Sequence, residues 1–398
     1  MKNKILYQAL IILGATVMNL QVASAQRSPH LTRVLEFMPA PGQFIHEVPE
    51  YETGNTAEDM RLMAEAYLAN NARSMVSLGG FGGYITVGFD HTIANVAGEY
   101  DFKVLGNAFY ADANPNPDGR LGGSCEPGVI QVSYDANGNG LPDDAWYEIA
   151  GSEYNHPRTV KNYELTYHRP DPNKQPVTDD AQPHYSDLEY IRWSDNQGNG
   201  GYLKKNVFHA QAYFPEWIEG DKYTLRGTRL PDNGVDEGGS DNYFVLYAFD
   251  YGYADNHPNT SDLSNIKIDW AVNADGVPVW LPGIDFIRIH TGVHQQNGWL
   301  GECSTEILGV TDLHPSIEAA LPLIERNDRF VFYPNPCRGI LTVESDESQL
   351  VRLLDVNGVM LSRYQLTPGR NQLDMTALPQ GMYLLQSEGA IEKLWIRK

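Results

Sequence analysis

The run Asp135-Ala136-Asn137-Gly138-Asn139-Gly140-Leu141-Pro142-Asp143-Asp144 has oxygen side chains at its first, third, fifth and ninth positions and glycine at its sixth. Such spacing lets a short chain wrap one hard cation, with Ca2+ the expected cofactor. The twelfth position is Trp146, where a helix–loop–helix site would place a bidentate glutamate. The segment therefore reads as a loop between β-strands. Its candidate ligands are Asp135, Asn137, Asn139, Asp143 and Asp144, with Glu148 as a further one. The alternative is an Asn-Gly turn whose side chains bond only their own backbone.

A second chemistry is aromatic. Trp146, Trp193, Trp217, Trp270, Trp280 and Trp299 precede the tail, and flat rings beside polar amides suit sugars or the face of a corrin. Trp299 lies in the polar, glycine-rich stretch from Gly292 to Gly301, so Trp299 with Asn297 is the first candidate ligand platform and Trp146 with Tyr147 the second. The competing reading places these rings in the core.

Catalytic signals are sparse. The chain has no His-Glu-x-x-His, no Gly-x-Ser-x-Gly and no Walker loop. His290 and His294 are four apart, but Gly292 between them argues against a helix. They read as a strand end with a solvent-facing histidine. Acidic residues are too numerous for any pair to be nominated as a glycosidase dyad. Cys125 and Cys303 each sit beside glycine and glutamate, and in an oxidising compartment they are expected to form a disulfide, leaving Cys337 unpaired. The alternative is two buried thiols.

These residues need elements to hold them. Thr56-Ala57-Glu58-Asp59 has capping-box form, and Met60, Met63, Ala64, Tyr67 and Leu68 follow at helical spacing. Strands are expected at Tyr84 to Phe89, after the glycines of Ser77 to Gly83, and at Asp101 to Phe109 and Val129 to Tyr134. Three more are expected at Tyr243 to Phe249, Ile266 to Val272 and Phe286 to His290. Arg27 to Tyr51 is proline-rich and is expected to wrap the surface. Asp112 to Gly119 is a second ladder of oxygens, read as a solvated turn with a second cation loop as the alternative. Many short strands with Gly, Asn, Asp and Pro turns predict a mainly β fold, a large jelly-roll or β-sandwich core with a short N-terminal helix.

Lys2 and Lys4, the apolar run from Ile5 to Val17 and Ala23-Ser24-Ala25 predict a secretory signal peptide. The run is too short for a membrane anchor, and no later stretch approaches a span. No cysteine follows the cleavage site, so a lipoprotein is not expected. The chain holds 29 Lys+Arg and 51 Asp+Glu; without the leader and the segment from Phe330 onward, 20 and 44 remain, a net −24. Such a field disfavours nucleic acid and anionic lipid as partners and is compatible with cations.

Ser77-Leu78-Gly79-Gly80, Gly88-Phe89-Asp90, Gly106-Asn107-Ala108-Phe109, Glu126-Pro127-Gly128, Asp143-Asp144-Ala145-Trp146-Tyr147-Glu148 and Gly283-Ile284-Asp285-Phe286 resemble a family of secreted bacterial cell-surface proteins. Some of its members are encoded beside outer-membrane nutrient-uptake systems, including those for corrinoids, which implies a binding or accessory role. Tyr333-Pro334-Asn335-Pro336, Leu353-Leu354-Asp355-Val356-Asn357-Gly358, Leu378-Pro379-Gln380-Gly381-Met382-Tyr383 and the final Lys393 to Lys398 resemble the type IX secretion sorting domain of Bacteroidetes. That resemblance implies a small Ig-like β-sandwich, in which Asn357-Gly358 closes a hairpin and Tyr383 begins a strand. It also implies passage across the outer membrane by the type IX machinery and removal of the tail near Asn327 to Phe330. Attachment to surface lipopolysaccharide, or release, would follow. The expected organisation is a signal peptide at 1–25, an N-terminal wrap and helix at 26–75, a β-rich core at 76–325 and a sorting domain at 326–398.

Overall fold

The computed structural model describes residues 27–111, 119–239, 241–319, 330–355, 359–387 and 391–398. The predicted leader, nearly all of the 112–119 ladder, the Asn357-Gly358 turn and most of the expected tail-removal region lie outside them.

The fold is mainly β. Its largest sheet runs Arg33–Met38, Tyr84–Ala94, Gly283–Thr291, Gly128–Ser133, Trp146–Ile149 and Ala271–Val272, with Tyr253–Ala254 paired to Gly128–Ser133. Ile85, Val87, Ile130, Val132, Ile287 and Ile289 line one face and are fully buried. Period-two alternation is what sends them to one side. The helix Ala57–Leu68 packs on that face through Met60, Ala64 and Leu68. Its N-terminus is closed as the sequence predicts: Asp59 N–H donates to Thr56 Oγ1 at 3.2 Å and Thr56 N–H donates to Asp59 Oδ2 at 2.8 Å.

The N-terminal segment differs from expectation. Leu31, Val34, Phe37, Ala40 and Ile45 are buried, and Arg33–Met38 is an edge strand rather than a surface wrap. Val34 stays in register with Val87 just before a register shift, and on this edge strand the helix supplies partners for its outward-facing N–H and carbonyl. Val34 N–H donates to Glu65 Oε2 at 2.9 Å, and Arg61 Nη1 donates to the Val34 carbonyl at 2.5 Å.

A four-stranded sheet ordered Gly200–Asn206, Tyr185–Asp195, Val160–His168, Lys222–Arg229 carries a second core, with Tyr163, Leu165, Tyr167, Leu203, Tyr213 and Leu225 around Phe81. Two expected strands are broken. Phe102–Leu105 ends before Gly106, because the Asn107 and Ala108 N–H groups turn to Asp255 Oδ1 at 2.8 Å each. Ile266 to Val272 is interrupted by a short helical turn at Ile268–Trp270, whose first N–H donates to Asp101 Oδ2 at 2.6 Å.

The tail is a two-sheet sandwich. Phe330–Tyr333, Ile340–Ser345 and Gly369–Asp374 form one sheet; Met360–Leu366, Gln349–Leu354, Gly381–Gln386 and Ile391–Ile396 form the other. Leu341 and Val343 from the first meet Val351, Leu353, Leu385 and Leu394 from the second in one core. Tyr383 falls inside its strand rather than at its start.

Two measurements check this packing. A Cβ on Gly83 would lie 1.9 Å from the Leu78 carbonyl oxygen and 2.3 Å from Ala40 N, so Gly83→Ala is expected to lose about 3 kcal/mol in urea unfolding; parent-like stability would contradict this packing. Burial of Asp101 raises its carboxyl to about 6. The folded chain thus keeps a proton that the unfolded chain releases near 3.8, and this stability is lost as pH rises through 6. Asp101→Asn is expected to remove that slope, on the order of 3 kcal/mol between pH 4 and 7; an unchanged pH profile would show the carboxyl to be ionised.

Candidate functional site

The chemistry gathers where four chain segments converge below Trp299. Glu126 precedes the Gly128–Ser133 strand, and Asp255 follows Tyr253–Ala254 with a positive φ of 49°. Glu302 follows the short helical turn Gly298–Leu300, and Glu306 opens the two-residue strand paired with Val76–Ser77.

Each carboxylate is held by local donors. Asp255 Oδ1 accepts from Asn107 and Ala108 N–H, and Oδ2 accepts from Glu306 N–H at 2.9 Å. Glu306 Oε1 accepts from Ser304 Oγ at 2.6 Å and Ser77 Oγ at 3.2 Å. Glu126 Oε1 accepts from Ser304 N–H at 3.0 Å, and its own N–H donates to the Asp255 carbonyl at 2.9 Å. Glu302 Oε1 accepts from Gln43 N–H at 2.5 Å, while Glu302 Oε2 has no hydrogen-bond partner. Among the described residues none of these four carboxylates forms an ion pair.

Burial without a counter-charge sets their titration. Glu302 is pushed up to about 7 by burial. Glu126, Asp255 and Glu306 are all raised, burial being the larger cause. Mutual repulsion adds to the rise for Asp255 and Glu306. The Cys303 thiol beside Glu126 is pushed well up by burial and by that carboxylate, so it stays protonated.

A cavity of about 320 Å3 opens over this floor, lined by Gln43, Glu126, Glu302 and Glu306 below and by Trp299 and Phe208 at the rim. Trp299 is 43% exposed, and Phe208 is more so. The indole is fixed from behind: its N–H donates to the Asn242 carbonyl at 3.3 Å and Asn206 Nδ2 donates to the Trp299 carbonyl. Gln43 Nε2 donates to the Leu300 carbonyl at 2.9 Å, which leaves Gln43 Oε1 buried and unpartnered. Gly301 has φ of 89°, and a Cβ there would meet Gln43 Oε1 at 2.3 Å, so only glycine fits. Asn297, the other half of the first predicted platform, is buried and also lines the cavity.

Glu302 also lines a second cavity of about 230 Å3, with Trp193, Asp195, Arg229 and His294. There Tyr163 Oη donates to Asp195 Oδ2 at 2.8 Å, and burial holds His294 down to about 4. His290 is only 2% exposed, against the expectation of a solvent-facing ring; Nε2 lies 3.2 Å from the Thr228 carbonyl beneath Gly227.

The other nominated residues lie apart from the cavity. Trp146 and Tyr147 stand on the strand Trp146–Ile149 and are half-buried, with the Arg288 guanidinium 4.2 Å above the Trp146 ring. The 135–144 segment is a loop between adjacent antiparallel strands, as expected. Asp135 accepts from Asn139 N–H at 3.1 Å and Gly140 N–H at 2.8 Å. Asn137 and Asn139 amides donate to Asp143, and Asp144 Oδ2 is buried without a partner. The expected Cys125–Cys303 disulfide is corrected: both are buried free thiols, as is Cys337. Sequence reasoning missed Glu126, Asp255, Glu302 and Glu306 as a group. Three of them stand one to three residues from the two cysteines it singled out.

Residues 331–397 match the family described as Secretion system C-terminal sorting domain. No curated protein matches the chain. Among solved structures, a β-glucuronidase from Faecalibacterium prausnitzii is similar at 10% identity, over 73% of this chain and 48% of that one, with a TM-score of 0.14. The chain thus spans about half the length of that structure, and so slight a likeness carries no argument. Among the described residues no helix is long and apolar enough to cross a membrane. The sorting domain marks the chain as a type IX secretion substrate, exported to the cell surface or the extracellular space.

Proposed function

We propose that the core of this exported protein is a ligand-binding module that takes a small polyhydroxylated ligand, a glycan unit, in the Trp299 cavity. The observation that supports this reading best is an exposed indole fixed above a floor of acceptor oxygens. Sugar rings offer an apolar face for the indole and hydroxyl donors for Glu126, Glu302, Glu306 and Gln43 Oε1. The volume lies near the lower end of the roughly 300–1,000 Å3 range of ligand pockets. One sugar ring enters such a space, whereas a corrinoid would rest across the rim on Trp299 and Phe208. The acidic floor disfavours anionic ligands.

In this reading the protein serves as an accessory to nutrient uptake, with an outer-membrane receptor and surface lipopolysaccharide as partners, as the family resemblance implies. We also propose that the 135–144 loop holds a stabilising Ca2+. The unpartnered Asp144 Oδ2 beside Asp135, Asn137, Asn139 and Asp143 supports it. A second reading is a secreted hydrolase. It draws on Glu126 and Glu302, two carboxyls of raised pKa facing one cavity.

Calorimetry of the full exported chain against neutral oligosaccharides and cobalamin tests the module. Trp299→Ala is expected to weaken binding tenfold or more, about 1.4 kcal/mol, with Trp146→Ala unchanged. Equal affinity in Trp299→Ala, or no binding by any member, would sink the reading, and appearance of cleaved sugar would favour the hydrolase. For the loop, calcium is expected to raise the melting temperature of the parent, with part of that rise absent in Asp135→Ala. An undiminished calcium shift in Asp135→Ala would make the segment an Asn-Gly turn.

A further inference from the structure

We infer that Glu126, Asp255 and Glu306 form a binding centre for a hard divalent cation, calcium in size, in the floor of the Trp299 cavity and separate from the 135–144 loop. One carboxylate oxygen from each of the three lies within 4.8 Å of the others. Oxygens that close can share a centre near the roughly 2.3–2.6 Å of calcium ligands.

Clustered acids alone would not carry this. Two further oxygens, Glu302 Oε2 and Gln43 Oε1, have no hydrogen-bond partner and belong to residues 6% and 4% exposed that line the same cavity. Both are acceptors and await a donor or a cation. A buried acceptor left unpaired costs about 1–3 kcal/mol, so two at one site point to an occupant.

The surroundings also select the ion. Asp255 is anchored by three backbone N–H groups and Glu306 by two hydroxyls, so the ligand atoms are positioned before any ion arrives. No lysine or arginine pairs with the three carboxylates among the described residues, and their combined charge suits a divalent ion. The three clustered donors and the two unpartnered ones are all oxygens, a set that favours calcium, magnesium or manganese over zinc or copper. Glu126 and Glu306 line the cavity, so the ion's remaining positions face its interior.

The site is tested on the purified full chain after chelator treatment, by titration with Ca2+ and by terbium luminescence excited through tryptophan. The expected results are one ion lost in Asp135→Ala and a different one lost, or weakened at least tenfold, in Glu306→Gln. Trp299→Phe should lower sensitised terbium emission without changing calcium affinity. Glu126→Gln, at the half-buried cavity wall, is the companion variant should Glu306→Gln misfold, and it is expected to show the same loss. The inference is overturned if a folded Glu306→Gln or Glu126→Gln chain binds as many calcium ions, as tightly, as the parent. It is equally overturned if the parent binds none, or only the one that Asp135→Ala removes. Sugar titration of the same variants is read separately, so a failed glycan reading leaves the ion count standing.

Discussion

The site rests on one buried carboxylate. Asp255 ties Asn107 and Ala108 to Glu306 through its side chain and reaches Glu126 through its carbonyl, so segments far apart in the chain meet at one residue. The geometry is demanding. Its φ of 49° is a left-handed conformation that aspartate adopts more readily than bulky residues do. The segment that leaves the Phe102–Leu105 strand beside it must carry glycine at 106, since a Cβ there would lie 2.3 Å from Asp255 Oδ1. The break in the expected strand from Asp101 to Phe109 is therefore the means by which backbone amides are aimed at a carboxylate.

Around that anchor the electrostatics run in one direction. Three acids line one cavity and a fourth, Asp255, holds the backbone of one of them, with no lysine or arginine paired to any of the four among the described residues, and their carboxyls are raised. Elsewhere the same fold pairs its charges where it half-buries them. Arg288 meets Glu36 at 2.7 Å and Lys161 meets Glu148 at 2.8 Å. The contrast separates the chain's large negative charge into a solvated part that governs its surface and a small unneutralised part that governs its interior.

Local rules made some of this legible in the sequence. The capping box at Thr56 and Asp59 and the strand from Tyr84 follow from short-range chemistry, and the structure shows them, while the two-sheet tail is what the resemblance to the sorting domain implies. Trp299 stands out in the sequence for its polar, glycine-rich surroundings, and in the structure it is exposed at the cavity rim. The floor was not legible, because its acids come from four segments and no spacing rule joins them. Cys125 and Cys303 drew attention to the right segments for a different reason. The chemistry there belongs to the adjoining glutamates, while the thiols are packing. The edge strand Arg33–Met38 was hidden by its bulge and by flanking prolines, which disguise alternation.

Glu302 stands in the wall between the Trp299 cavity and the chamber of Trp193, Asp195 and His294, and lines both. Its ionisation is therefore a property common to two spaces. A donor that draws its proton away on one side makes the other more negative, and by reciprocity an occupant of the second alters what the first will accept. Two cavities lined by the same carboxylate can in this way act as one thermodynamic unit, coupled through a single oxygen pair with no movement of the backbone.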